Sequence, residues 1–408
     1  MKIRLLSIGI IFLLLFQACK KVPDNRQDNF QYLIDYEKVT TLAKEYISGL
    51  YQFQSIQYPE ILDFLDNTIY DVEIYTISYK TYYKDSIITA SGVVCIPKAS
   101  DAFPLVSFQN GTNTLNNNAP SIAVNNPNFT FLQSLAGNGY ILCIPDYIGF
   151  GLSEDIVHPY YLKETNNAAV IDMIRAVREL LDSYEGDATY SESCFLLGYS
   201  LGGWATLSAL KEIELKYPDE FMIIATSCGA GAYDLLTVSN EIIGQDTYPG
   251  PLYLPYYVYS HQQYGTIHDP LDKFFKEPYA SLIPELFNGN YTNGQVNAQL
   301  NDTISRLLTH DLIQNFSSSD NYSELRNDLL NNSVEAWQIN SQLRFYHGNA
   351  DDNVPVNQSE SIFTQFVSLG IDPGTVEFYE LEGLNHETAL LPWGISSISW
   401  FNQLKVMN

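Results

Sequence analysis

Basic residues are scarce in this sequence: 21 Lys and Arg stand against 47 Asp and Glu, a formal net charge of −26. The imbalance argues against nucleic acid as a partner and against electrostatic adhesion to an anionic membrane, because like charges repel within a Debye length of about 8 Å. Neutral or cationic substrates fit better. No apolar stretch reaches the roughly 20 residues of a membrane-spanning helix; the run Leu5 to Phe16 falls short. Cysteine is sparse as well, and of Cys95, Cys143, Cys194 and Cys228 the first three lie inside apolar runs, where a free thiol acts as a small buried hydrophobe. No disulfide framework is predicted. Signatures of cofactors are missing too. Gly149-Phe150-Gly151-Leu152-Ser153-Glu154 lacks the third glycine of a dinucleotide fingerprint, His386-Glu387 lacks the second histidine of a zinc-protease helix, and neither a P-loop nor a metal-ligand Cys/His spacing is present. No cofactor and no metal is implied.

What is there suffices for a large core. The chain has 408 residues, 46% of them hydrophobic, room for one large α/β domain with an insertion or for two domains. Lys2 and Arg4 precede the apolar run Leu5 to Phe16, the layout of a secretory signal. The run ends in Phe16-Gln17-Ala18-Cys19, which resembles the lipobox of bacterial lipoproteins, with Phe16 where Leu is usual. The resemblance implies a signal peptide over 1–18, a lipid on Cys19, a polar tether over 19–29, and an exported protein anchored to a bacterial membrane, with the outer membrane expected.

From Phe30 to Leu65 the spacing is helix-like and predicts an N-terminal helical extension. Two period-two segments follow, Val72 to Tyr83 and Ser86 to Pro97, joined by Lys84-Asp85, and predict an antiparallel strand pair. Short apolar runs at Leu105 to Phe108, Tyr140 to Ile144, Cys194 to Leu197, Met222 to Ala225, Leu343 to Tyr346 and Val376 to Tyr379 have the length of strands buried on both faces. Helical segments lie between several of them, including one in which Val170, Ile174, Val177 and Leu181 share a face. The pattern predicts an α/β fold: a mostly parallel sheet covered by helices on both faces, with core segments over 30–228 and 343–408. Between them, 229–342 is rich in Tyr, Asn and Pro, with helical patches such as Leu300 to Ile313, and predicts a cap inserted before the last strands.

Gly198-Tyr199-Ser200-Leu201-Gly202 stands between a strand-like run and a helical pattern carrying Trp204, Leu207 and Leu210. Glycines there permit a sharp turn and force the serine outward, the requirement of a nucleophile elbow. A serine hydroxyl needs a histidine to take its proton and a carboxylate to orient that histidine. His386 lies just after the last strand-like run and is the candidate base, whereas His158, His261, His268 and His310 fall too early in the chain or in the cap. Asp351, in the polar turn after Leu343 to Tyr346, is the candidate acid, with Asp352 the competing choice. An oxyanion needs two N–H donors. Leu201 supplies one candidate amide, and Thr112, in Gln109-Asn110-Gly111-Thr112, the other.

Ser200, Asp351 and His386 in this order are similar to the α/β-hydrolase superfamily, and Gly348 to Pro355 resembles its Gly-x-x-Asp-x-x-Val-Pro acid turn. More narrowly, Pro145-Asp146-Tyr147-Ile148-Gly149-Phe150-Gly151-Leu152-Ser153, His158-Pro159-Tyr160 and Asp172-Met173-Ile174-Arg175-Ala176 resemble the secretory lipases and their bacterial relatives, many of which have His-Gly-Thr where this chain has Asn110-Gly111-Thr112. The likeness runs from about Tyr75 to the C-terminus and is weak through the cap. It implies an esterase or lipase that hydrolyses small-molecule or lipid carboxylic esters through an acyl-enzyme. Two alternatives stay open: an esterase removing acetyl or feruloyl groups from glycans, with cap tyrosines stacking on sugar rings, and a lipid-anchored glycan-binding protein using the tyrosines as a platform. The second has no need of a serine, an acid and a histidine in hydrolase order.

Overall fold

The structure is a computed structural model that describes residues 31–407; the predicted signal segment, Cys19 and the tether lie outside these residues. The first element departs from expectation: Leu33–Leu42, inside the segment with helical spacing, is a strand, β1. Only Leu33 of it is buried, so no apolar alternation marks it, and backbone pairing rather than side-chain burial defines it. Helix follows as α1 (Lys44–Gln54) and α2 (Leu62–Asn67). The hairpin falls where its alternation predicts, with β2 (Val72–Tyr83) and β3 (Ser86–Pro97) paired antiparallel as far as Tyr83↔Ser86.

Strands and helices then alternate: β4 (Ala102–Gln109), α3 (Pro127–Gln133), β5 (Ile141–Pro145), α4 (Lys163–Ser183), β6 (Thr189–Tyr199), α5 (Leu201–Lys216) and β7 (Met222–Gly229). The alternation stops at the cap, built from α6 (Leu235–Ile243), α7 (Tyr253–Tyr264), α8 (Leu271–Phe274), α9 (Tyr279–Leu286), α10 (Asn293–Gln299), α11 (Ile304–Leu307), α12 (His310–Asn315) and α13 (Ser323–Asn332). The expected single patch from Leu300 to Ile313 is divided. Leu308 is extended and bridges to Phe275, and the Thr309 hydroxyl accepts the Leu312 N–H at 3.3 Å, starting a new helix. The chain returns to the sheet through β8 (Gln342–Gly348), α14 (Asn357–Ser368), β9 (Val376–Leu381) and α15 (Leu390–Met407).

The strands form one sheet in the order β1-β2-β3-β5-β4-β6-β7-β8-β9. Pairing is antiparallel from β1 to β5 and parallel from β5 to β9. Successive residues point to opposite faces: Cys194 and Leu196 of β6 pack in one apolar cluster with Ile174 and Trp204, while Phe195 and Leu197 pack in another with Ile47, Tyr51, Trp393 and Phe401. The first cluster continues into the cap through Tyr256, Leu312 and Leu329. The mostly parallel sheet is therefore covered by helices on both faces, as predicted. Because the central strands run the same way, the loops after β4, β6, β8 and β9 gather at one sheet edge, where sites form in such folds.

Candidate active site

At that edge Ser200 joins β6 to α5 with φ 60° and ψ −124°, a conformation that L side chains rarely adopt and that is kept only where the surroundings hold it. The Ser200 N–H donates to Gly229 O at 2.8 Å. Two glycines make the turn possible. A Cβ at Gly198 would stand 2.2 Å from Gly202 O, and one at Gly202 would stand 2.0 Å from Gln109 O. The second contact also presses the start of α5 against the loop after β4.

His386 leaves the loop after β9 with Nε2 2.9 Å from Ser200 Oγ and Nδ1 2.6 Å from Asp351 Oδ2. A carboxylate only accepts, so Nδ1 carries the proton and the Nε2 lone pair faces the serine hydroxyl. Asp351 is fixed in turn: its Oδ1 accepts the N–H groups of Asn353 and Val354 at 2.9 and 2.8 Å. Burial pushes its carboxyl up, but hydrogen bonds from His347 and His386, attraction to the His386 ring and the Val354 N–H outweigh burial and hold it well below the usual carboxylate range. Asp352 is exposed. The sequence-predicted Ser200, Asp351 and His386 thus meet in one hydrogen-bonded chain, and Asp352 stays outside it.

Two supporting residues, His347 and Tyr199, have no role that the sequence pattern predicts. His347 is fully buried beneath Asp351, with Nε2 2.8 Å from Val354 O and 3.3 Å from Asp351 Oδ2, and Nδ1 2.8 Å from Ser359 Oγ. Tyr199 donates its hydroxyl to His386 O at 2.7 Å, and its ring packs on His386 and Trp393. At Gly348 a Cβ would meet Leu384 O at 2.1 Å, so the acid turn and the histidine loop lie against each other.

The secretory lipase family profile matches residues 117–404. The chain belongs to the secretory lipase family. Its structure is similar to a putative hydrolase from Legionella pneumophila, at TM-score 0.81 and 25% identity over 92% of this chain and 98% of the other. It is also similar to the rice cell wall degrading esterase LipA from Xanthomonas oryzae, at TM-score 0.77 and 22% identity over 90% and 95% of the two chains. Candida antarctica lipase A in its closed state follows at TM-score 0.64 and 16% identity, over 90% and 81%. No curated relative matches the sequence. The fold is that of the α/β-hydrolases, and family membership makes the chain a carboxylic ester hydrolase acting on an ester substrate.

The loop after β4 runs beside the serine; a Cβ on Gly111 would lie 3.7 Å from Ser200 Cβ. Thr112 has its hydroxyl 2.8 Å from the Tyr160 hydroxyl and its carbonyl accepting from Asn293 Nδ2 at 2.8 Å. Among the described residues its N–H meets no acceptor. Leu201, at the first position of α5, has an N–H for which the helix offers no acceptor. Among the described residues, both candidate amides are therefore without an acceptor.

Behind the serine lies an apolar cavity of about 60 Å³, walled by Leu235, Val238, Ile242, Tyr257, Leu329 and Val354. Most of this wall belongs to the cap. His386 does not line it. Of the remaining histidines, His158 is buried among aromatic rings, donates Nδ1–H to Ile148 O at 2.7 Å, and is pulled down to about 4 by burial, only partly offset by that bond. His261 sits in the cap with Nδ1 2.6 Å from Asp328 and Nε2 2.9 Å from Tyr160 O, and His268 and His310 are exposed.

Proposed function

We propose that the protein is a serine esterase for short acyl groups that works through an acyl-enzyme, and that it acts as a lipoprotein anchored through Cys19. The observation that carries the mechanism is the chain Ser200 Oγ to His386 Nε2 at 2.9 Å and His386 Nδ1 to Asp351 at 2.6 Å. Ser200 Oγ attacks the ester carbonyl while His386 Nε2 takes its proton, and Asp351 stabilises the imidazolium. The tetrahedral oxyanion is held by the N–H groups of Leu201 and Thr112. His386 then protonates the departing alcohol, and water activated by the same nitrogen releases the acid from Ser200.

The cavity supports the assignment of the acyl side. The cavity reaches Ser200 and is walled mainly by apolar side chains, which favours the acyl chain as its occupant. Its volume of about 60 Å³ is well under the roughly 150 Å³ that admits a benzene ring. A chain of a few carbons fits. A glycan platform finds less support, because Tyr256 and Tyr257 are only 3% and 4% exposed and Tyr253 is half-buried.

The test is hydrolysis of p-nitrophenyl esters from two to sixteen carbons. The highest kcat/KM is expected at six carbons or fewer, with an initial burst of p-nitrophenol equal to the enzyme concentration. Ser200→Ala should lower kcat by roughly 10³-fold or more. Full activity in Ser200→Ala would end the serine mechanism, and an optimum at sixteen carbons would end the acyl assignment alone.

A further inference from the structure

The loop that carries Thr112 is held from the cap as well as from the sheet. On the sheet side, Tyr147 donates its hydroxyl to Asn110 O at 3.2 Å and Asn110 Nδ2 donates to Pro145 O at 3.2 Å. On the cap side, Asn293 donates Nδ2 to Thr112 O at 2.8 Å, and the single hydroxyl proton of Thr114 is shared between Tyr291 O at 2.8 Å and Asn293 Oδ1 at 2.9 Å. Tyr256 of α7 donates to Asn113 O at 3.2 Å, the Asn116 N–H donates to Gly289 O at 2.8 Å, and Leu115 bridges to Asn290. Asn293 is itself held firmly. It opens α10, and the preceding Thr292 forms a capping box with Gln295, in which the Gln295 N–H reaches the Thr292 hydroxyl at 3.2 Å and the Thr292 N–H reaches Gln295 Oε1 at 2.9 Å. The helix end is thus satisfied without Asn293, whose amide N–H is left to hold the Thr112 carbonyl.

We propose that Asn293 is a positioning residue for the oxyanion: acting from the cap, it fixes the peptide of Thr112 so that only the Thr112 N–H is free and faces the position above Ser200. The inference rests on the proposed acyl-enzyme reading. A donor aimed in advance costs no reorganisation when charge develops, whereas a loop released on one side must be reordered during the reaction. The hole is then completed by the cap. Binding of the neutral ester depends on the apolar cavity and is affected little, because Asn293 does not line it.

The experiment compares wild type with Asn293→Ala on p-nitrophenyl butyrate and with butylboronic acid, which forms a tetrahedral adduct on a reactive serine. Loss of one oxyanion donor costs about 10²–10³-fold in kcat, and a donor that is misaimed but present should cost less, roughly 10–100-fold. KM is expected within about twofold of wild type, and boronate affinity should fall by the same factor as kcat, since both report on the tetrahedral oxygen. Asn293→Asp keeps the size and the acceptor for Thr114 but removes the donor to Thr112 O, and it is the second variant should the alanine chain not fold. Asn297→Ala is the control: its Oδ1 accepts the Leu252 N–H at 3.0 Å within the cap, a bond that does not involve the loop, so kcat should stay within about twofold. Retained kcat in both Asn293 variants, a loss of kcat with unchanged boronate affinity, or an equal loss in Asn297→Ala would each overturn the proposal. Ser200→Ala separates the two levels: if it is inactive while Asn293→Ala is fully active, only the positioning role fails, and if Ser200→Ala is active the acyl-enzyme reading fails with it.

Discussion

Asp351 and Asp352 leave the same strand one position apart, yet their surroundings share almost nothing. The Asp351 side chain is fully buried, with the His386 ring on one oxygen and two backbone N–H groups on the other, while Asp352 is exposed. Asp351→Asn keeps the shape, removes the charge that stabilises the imidazolium and can hold the wrong tautomer; a loss of roughly 10⁴ in kcat is expected. Asp352→Asn should stay within about threefold, because a solvated neighbour is screened. Measuring kcat of both folded variants on a short ester decides it, and a crippled Asp352→Asn would reassign the acid. Ser200, Asp351 and His386 were legible because each stands in a local pattern, a glycine-flanked turn or a polar turn after an apolar run. His347, Tyr199 and Asn293 were not. Their roles come from neighbours distant in sequence, such as Thr112 lying 181 positions from Asn293, and no local spacing announces such a partner.

Elements differ in the same way. Strands buried on both faces stood out as short apolar runs, and the hairpin β2–β3 stood out by its alternation. Strand β1 did not, because an edge strand with one buried residue is defined by backbone pairing, and its sequence reads equally well as a helix face. The cap was legible as an interruption only, since the packing of its helices over the serine depends on contacts that no periodicity encodes. Its energetic consequence is testable at the level of the helices that wall the cavity. Ile242 of α6 and Leu329 of α13 both line it, so Ile242→Ala or Leu329→Ala should lengthen the space for an acyl chain. Each methylene newly accommodated is worth about 0.8 kcal/mol, a gain of roughly fourfold in kcat/KM per carbon beyond the wild-type optimum. The ester series should therefore show its optimum moved toward longer chains, with the acetyl ester little changed. An identical chain-length profile in both variants would mean that the acyl group lies elsewhere.

For the whole molecule the decisive quantity is charge. With 47 acidic and 21 basic residues, a protein of net charge −26 is repelled by anionic lipid over a Debye length of about 8 Å. Among the described residues, no helix is long and apolar enough to cross a membrane. We propose that a covalent lipid on Cys19 supplies the attachment to the membrane. Diacylglycerol on the Cys19 sulfur with an amide-linked chain on its nitrogen would give stable anchoring, where a single chain binds only reversibly. Wild-type protein expressed in a bacterium should therefore take up labelled palmitate and sediment with membranes in both low and high salt. Cys19→Ala should lose the label and appear in the soluble fraction even at low salt, because the charge offers no second means of attachment. Its esterase activity per molecule should be unchanged, since none of the residues proposed to act on the ester belongs to the tether. Label retained in Cys19→Ala would place the lipid elsewhere, and membrane association that survives without label but washes off in salt would show that a local basic or apolar surface outweighs the net charge.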